Sequence, residues 1–135
     1  MAIAVDAMGG DSPLTFQVEA SVRAVNDFGI EVILVGAEAQ IKQELKQYSY
    51  DQQKLRIVNS TEIVEMNESP ASALRQKKDS SIRVAVDLVK AGEAEAVVSA
   101  GNTGASMATA KFILKSVEGI ERPAIATLMP SVHRN

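Results

Sequence analysis

One repeated pattern constrains this chain more than any other: a short run of aliphatic residues, a turn, then a longer segment with helical spacing. Ile3-Ala4-Val5 leads into Asp6-Ala7-Met8-Gly9-Gly10-Asp11. Glu31-Val32-Ile33-Leu34-Val35 ends at Gly36, and Leu55-Arg56-Ile57-Val58-Asn59 is a third, shorter run. Ala96-Val97-Val98-Ser99-Ala100 reads as a buried strand and leads into Gly101-Asn102-Thr103-Gly104. Continuous apolar runs of this kind mark strands covered on both faces. Between them, Val18, Val22 and Val25 recur at i, i+4 and i+7, as do Ile41, Leu45 and Tyr48. Ile82, Ala85, Val86 and Val89 form a third helical face. Strand and helix in alternation predict an α/β fold: a mostly parallel sheet with helices on both faces.

The boundaries follow from local chemistry. Ser12-Pro13 predicts an N-cap followed by Pro at the first helical position, with a helix running to about Phe28 and ending at Gly29. Residues 60 to 69 read as a polar, acidic connection with room for a short strand around Ile63-Val64. Ser69-Pro70 opens a short helix through Leu74 and Arg75, residues 76 to 81 form a loop, and the next helix ends at Gly92. After Gly104, the residues Met107, Ala110, Leu114 and Val117 define one face of a further helix. Pro123 to Leu128 is expected to be a fifth strand, and Met129 to Asn135 carry no end signal. The 135 residues suit a single α/β domain, long enough to bury a core without covalent staples.

Composition removes several function classes. There is no Cys, which excludes disulfides, thiolate catalysis and cysteine-bound zinc. The single histidine, His133, makes a histidine metal cluster or a Ser-His-Asp triad hard to build. A formal net charge of -3 argues against nucleic acid as a partner, which calls for a basic face. The N-terminus has no basic stretch followed by an apolar one, so no secretory signal is visible. No apolar run approaches the ~20 residues of a membrane span.

Chemistry is expected at the two glycine turns, because ligands of a parallel sheet bind beyond the carboxyl ends of its strands. At Ser99 to Gly104, glycines let a ligand approach the backbone, and N–H groups at a helix start favour an anion. Asn102 and Thr103 can add side-chain hydrogen bonds, or one of them can simply cap the helix. At the first turn, Asp6 and Asp11 can orient a ligand or meet a divalent ion. Equally, Asp11 can cap the helix while Asp6 braces the loops; two carboxylates without a third ligand leave a metal site unassigned. Neither turn carries the Gly-x-Gly-x-x-Gly or Gly-Lys-Ser/Thr string of the common nucleotide loops. Arg75, Lys77, Lys78 and Arg83 form the densest basic cluster, either a solvated face or a contact for an anionic substrate or acidic partner.

Three strings in this order, Ile3-Ala-Val-Asp-Ala-Met-Gly-Gly-Asp11, Leu74-Arg-Gln-Lys-Lys-Asp-Ser-Ser81 and Val98-Ser-Ala-Gly-Asn-Thr-Gly-Ala105, resemble the acyl-carrier-protein:phosphate acyltransferase (PlsX) family, and Arg122-Pro123-Ala124 fits too. The resemblance covers the whole chain. It implies a fold like that of phosphotransacetylase and of isocitrate and isopropylmalate dehydrogenases. It implies transfer of a fatty acyl group from acyl carrier protein to inorganic phosphate, giving acyl phosphate for phospholipid synthesis, with no cofactor. It further implies a cytoplasmic homodimer attached peripherally to the membrane.

On this reading the phosphate and substrate site is formed by Asp6, Gly9, Gly10, Asp11, Ser99, Gly101, Asn102, Thr103 and Gly104. Arg75, Lys77, Lys78 and Arg83 contact the carrier protein or phosphate. Two departures stand out. Family members are much longer, so residues 1–135 are expected to be an incomplete N-terminal part whose dimer and membrane-attaching segments lie elsewhere. Asp11-Ser12-Pro13 is also one residue shorter than the family's usual stretch. Two other functions stay open: a fragment that only binds carrier protein, and a related phosphate acyl- or acetyltransferase.

Overall fold

The computed structural model describes residues 2–127. Four strands, β1 (Ala2–Asp6), β2 (Glu31–Gly36), β3 (Leu55–Asn59) and β4 (Ala96–Ser99), form one parallel sheet in the order β3-β2-β1-β4. Five helices accompany them: α1 (Leu14–Phe28), α2 (Glu38–Leu45), α3 (Pro70–Gln76), α4 (Ser81–Lys90) and α5 (Thr103–Leu114). The chain first steps outward from β1 to β2 to β3. It then returns across the sheet and places β4 on the other side of β1. The direction of winding therefore reverses between β1 and β4, which makes a crevice at their carboxyl ends.

The alternation in β2 shows why both faces need helices. Val32 and Leu34 pack with Val18, Val22 and Val25 of α1 and with Ile41 and Leu45 of α2. Ile33 and Val35 point the other way, to Ala85 and Leu88 of α4. A third cluster joins Val64, Ala73, Ile82, Val86, Ala105 and Ile113, and so ties α3, α4 and α5 together. Gly29 ends α1 as expected. At φ 67 it is left-handed, its N–H donates to the Val25 carbonyl at 3.0 Å, and the next N–H reaches Ala24.

Several local expectations are corrected. The N-cap of α1 is Pro13, not Ser12, and no side chain caps that helix. Ile63-Val64 forms no strand; a single parallel bridge joins Glu62 to Ser80. The buried face of α5 is Ala105, Thr109 and Ile113, whereas Met107 and Leu114 are exposed and Val117 lies beyond the helix. Apolar residues run all round this helix, so spacing alone does not select a face; contact with α3 and α4 does. Strand β4 is a sheet edge among the described residues, with Val98 56% exposed on the α1 side. The expected fifth strand is absent over Pro123–Thr127, which pair with no strand among the described residues; Leu128 lies outside the described residues. His133 lies outside them too.

Candidate functional site

The topology delivers both glycine turns to the same place. Asp6 and Ser99 are the last residues of β1 and β4 and are direct partners in the ladder. The Asp6 side chain is buried, and its Oδ2 accepts from the Ser99 hydroxyl at 2.7 Å. Its Oδ1 accepts from the Met8 N–H at 3.3 Å, while the Gly101 N–H donates to Ser99 Oγ at 3.1 Å. One carboxylate thus fastens the ends of two adjacent strands and, through Ser99, the start of the second turn.

The glycines are explained by this contact. A Cβ on Gly9 would stand 2.3 Å from Asp6 Oδ2 and 3.1 Å from the Gly101 nitrogen. A Cβ on Gly10, which has φ +94, would meet the Ala100 carbonyl oxygen at 2.7 Å. Backbone therefore runs against backbone where the turns meet, at a separation that side chains would prevent. Gln17 of α1 completes the first turn by donating from Nε2 to the Gly9 carbonyl at 3.0 Å. Sequence reasoning missed Gln17, because its partner is a carbonyl that any residue would supply. Asp11 is exposed and caps nothing.

At the second turn Asn102 is the N-cap of α5. Its Oδ1 accepts from the Ala105 N–H at 3.0 Å. Its Nδ2 points away from the turn, to the carbonyls of Glu65, Met66 and Glu68 at 3.3, 3.0 and 2.9 Å. The side chain is thus wholly engaged with protein. The N–H groups of Thr103 and Gly104, in the first turn of α5, have no hydrogen-bond acceptor among the described residues. Such groups form the positive end of a helix. Gly104 has a packing role as well: a Cβ there would sit 2.9 Å from Pro70 Cγ, where α3 begins.

Four of the nine candidate residues line one or other of two separate clefts. Ser99, Gly101 and Thr103 line a cleft of about 320 Å³ beside α5, with Ser106 and no charged side chain. Asp6 lines a larger apolar groove of about 520 Å³ on the other side of β4, between that strand and α1. The β4 edge separates the two. Among the described residues, no group of three His, Cys, Asp or Glu side chains is placed to hold a metal ion.

The four basic residues part company. Lys77 is half-buried and donates to the Ile63 carbonyl and the Glu68 carboxylate. That bond, helped by the Glu65 N–H, holds the Glu68 carboxyl below the usual carboxylate range against the opposing effect of burial. Arg83 pairs with Asp87 at 3.0 Å and lies over the Phe112 ring at 5.8 Å. The side chains of Arg75 and Lys78 are exposed and make no hydrogen bond or ion pair among the described residues. The outward-facing cluster is therefore two residues, not four.

A family model described as "Fatty acid synthesis protein" matches residues 1–135. The chain belongs to this family. Proteins named phosphate acyltransferase are close to it in sequence. One from Geobacter sulfurreducens is 50% identical over 132 residues, covering 98% of this chain and 38% of its own length. One from Geotalea uraniireducens is 51% identical over the same span and shares. One from Magnetococcus marinus is 52% identical over 132 residues, covering 96% of this chain and 37% of its own length. The chain thus spans 38% of the length of the first two relatives. The resemblance carried by the three motifs and these relatives point to the same family. Among the described residues, no helix is long and apolar enough to cross a membrane.

Proposed function

We propose that residues 1–135 are the N-terminal part of an acyl-carrier-protein:phosphate acyltransferase and hold its phosphate at the start of α5. The observation that carries this reading is the junction of the two glycine turns at the reversal of the sheet, with the Thr103 and Gly104 N–H groups free beside Ser99 and Gly101. A phosphate there needs no protein nucleophile, since its own oxygen attacks the thioester carbon. The carbon–sulfur bond then breaks, and the carrier's thiolate leaves and takes up a proton. What the protein must do is hold two reactants in line and offset charge on phosphate and on the carbonyl oxygen. Arg75 and Lys78 are the residues free to meet an acidic carrier. Acyl carrier protein as donor, a homodimer, and a cytoplasmic enzyme resting on the membrane through other segments complete the proposal.

The test uses the full-length enzyme. Thr103→Pro removes one N–H from the first helical position, where proline is well tolerated. The phosphate Michaelis constant should rise about tenfold, the loss expected for one hydrogen bond to a charged group, while the melting temperature changes little. An unchanged constant in a folded variant would place phosphate elsewhere. Reversing Arg75 and Lys78 to Glu should slow capture of acyl-carrier-protein and flatten its salt dependence, since opposed patches act mainly on association rate. A small acyl thioester without the carrier should be affected slightly. Equal loss with both donors would count against docking. Formation of long-chain acyl phosphate rather than acetyl phosphate separates this activity from that of a related acetyltransferase.

A further inference from the structure

We infer that Asn102 is a positioning residue, whose side chain couples the Glu65–Glu68 loop to the N-terminus of α5. A side-chain amide offers one strong acceptor and two N–H donors. Here the acceptor caps α5 through the Ala105 N–H. The donors face three carbonyls of one short loop, those of Glu65, Met66 and Glu68, within 3.3 Å. The other side chains that commonly cap a helix do not serve both partners. Ser and Thr can cap a helix but are short and carry one hydrogen; Asp can cap it but has no donor when ionised.

The loop has little else to hold it. Its remaining bonds are mostly internal, the Glu68 N–H to the Glu65 carbonyl and the Glu65 N–H to the Glu68 carboxylate. Glu65, Met66 and Asn67 are exposed, so apolar burial does not fix the tip. Apart from Asn102, the one hydrogen-bonded attachment of residues 65–68 to the rest of the described protein is the Lys77–Glu68 pair. The loop is therefore pinned at two points, one on α5 and one just after α3. Releasing the α5 point frees the loop and loosens the helix start that presents the Thr103 and Gly104 N–H groups. The catalytic consequence rests on the phosphate reading above; the coupling itself does not.

The experiment is a double-mutant cycle in the full-length enzyme, with Asn102→Ser, Lys77→Gln and both together. Hydrogen exchange is measured on the protein without substrates, and phosphate kinetics are measured in parallel. Asn102→Ser keeps the cap and should raise exchange over residues 65–69 about tenfold, while the β1 and β2 amides stay protected, the pattern of a local opening. Asn102→Asp, which also keeps the cap, should show the same pattern, and it serves in place of the serine variant should that fail to fold. The phosphate Michaelis constant should rise in both single variants, and the rise in the double variant should be smaller than the product of the two single effects. The turnover number at saturating phosphate should stay within about twofold, as for a loss of binding that is equal in ground and transition states.

Unchanged exchange over residues 65–69 in both Asn102 variants would overturn the inference, whatever the kinetics. So would fully multiplicative effects on the phosphate constant, which would make Asn102 a ligand acting independently of the loop. Raised exchange with an unchanged phosphate constant in these variants and in Thr103→Pro would support the coupling and reject the phosphate reading instead.

Discussion

The turn after β1 and the turn after β4 both read as strand, glycine, helix, yet they are built in opposite ways. After β1, sterics dominate: Gly9 lies against the Asp6 carboxylate, Gly10 lies against the Ala100 carbonyl, and the following helix starts without a side-chain cap. After β4, hydrogen bonding dominates: Asn102 caps α5 and reaches across to another loop, and the first two N–H groups of the helix are left over. The first turn is a wall made thin enough for its neighbour to approach. The second is a set of donors held in place. A similar string of residue types can thus serve shape in one turn and charge in the other, and only the neighbours reveal which.

The largest expected effect breaks the first turn. Gly9→Ala should cost about 3 kcal/mol, since the new Cβ meets a buried, hydrogen-bonded carboxylate that has little room to move. Gly101→Ala should cost less: its Cβ would stand 3.2 Å from the nearest atoms, a distance that a shift of a few tenths of an ångström relieves. Urea midpoints measure both. Adding Asp6→Ala to Gly9→Ala should recover part of the loss; strictly additive effects would show that the carboxylate is not the obstacle.

The next effect compares the helix starts. Asn102→Ala should destabilise by about 1–2 kcal/mol through loss of the cap. Ser12→Ala, at a residue that caps nothing, should stay within about 0.5 kcal/mol. Equal melting temperatures for the two variants would erase the distinction between the turns.

The smallest effect concerns the ion pair that steadies the loop beside the second turn. The Glu68 carboxyl titrates lower in the folded protein than in the unfolded chain, chiefly through its bond from Lys77. Its contribution to stability is therefore complete above the unfolded value and lost as pH falls through the lowered folded value. Glu68→Gln should flatten the acid limb of a stability-against-pH curve in that window. At neutral pH it should cost little, because the glutamine amide oxygen can still accept from the Lys77 ammonium. Parallel acid limbs for the two proteins would show that the pair makes no difference to folding.

Much of the architecture was legible because it depends on local rules. Aliphatic runs of strand length, helical spacing at Val18, Val22 and Val25, and Gly29 at a helix end each report a nearby physical requirement. The meeting of the glycine turns followed from parallel topology. Three points lay beyond such rules. The face of α5 was misread because apolar residues surround that helix, so its neighbours choose the buried side. Four basic residues close in sequence looked like one patch, but Glu68 and Asp87 engage two of them. The reach of Asn102 to Glu65, Met66 and Glu68 crosses more than thirty residues of chain and ends on backbone carbonyls, which leave no trace in residue type. Sequence by itself determined the alternation of strands and helices, the two glycine turns and the family, because these depend on residue type and order. Tertiary structure alone decided which polar groups are engaged and which remain free to bind, because that depends on partners brought together only when the sheet forms.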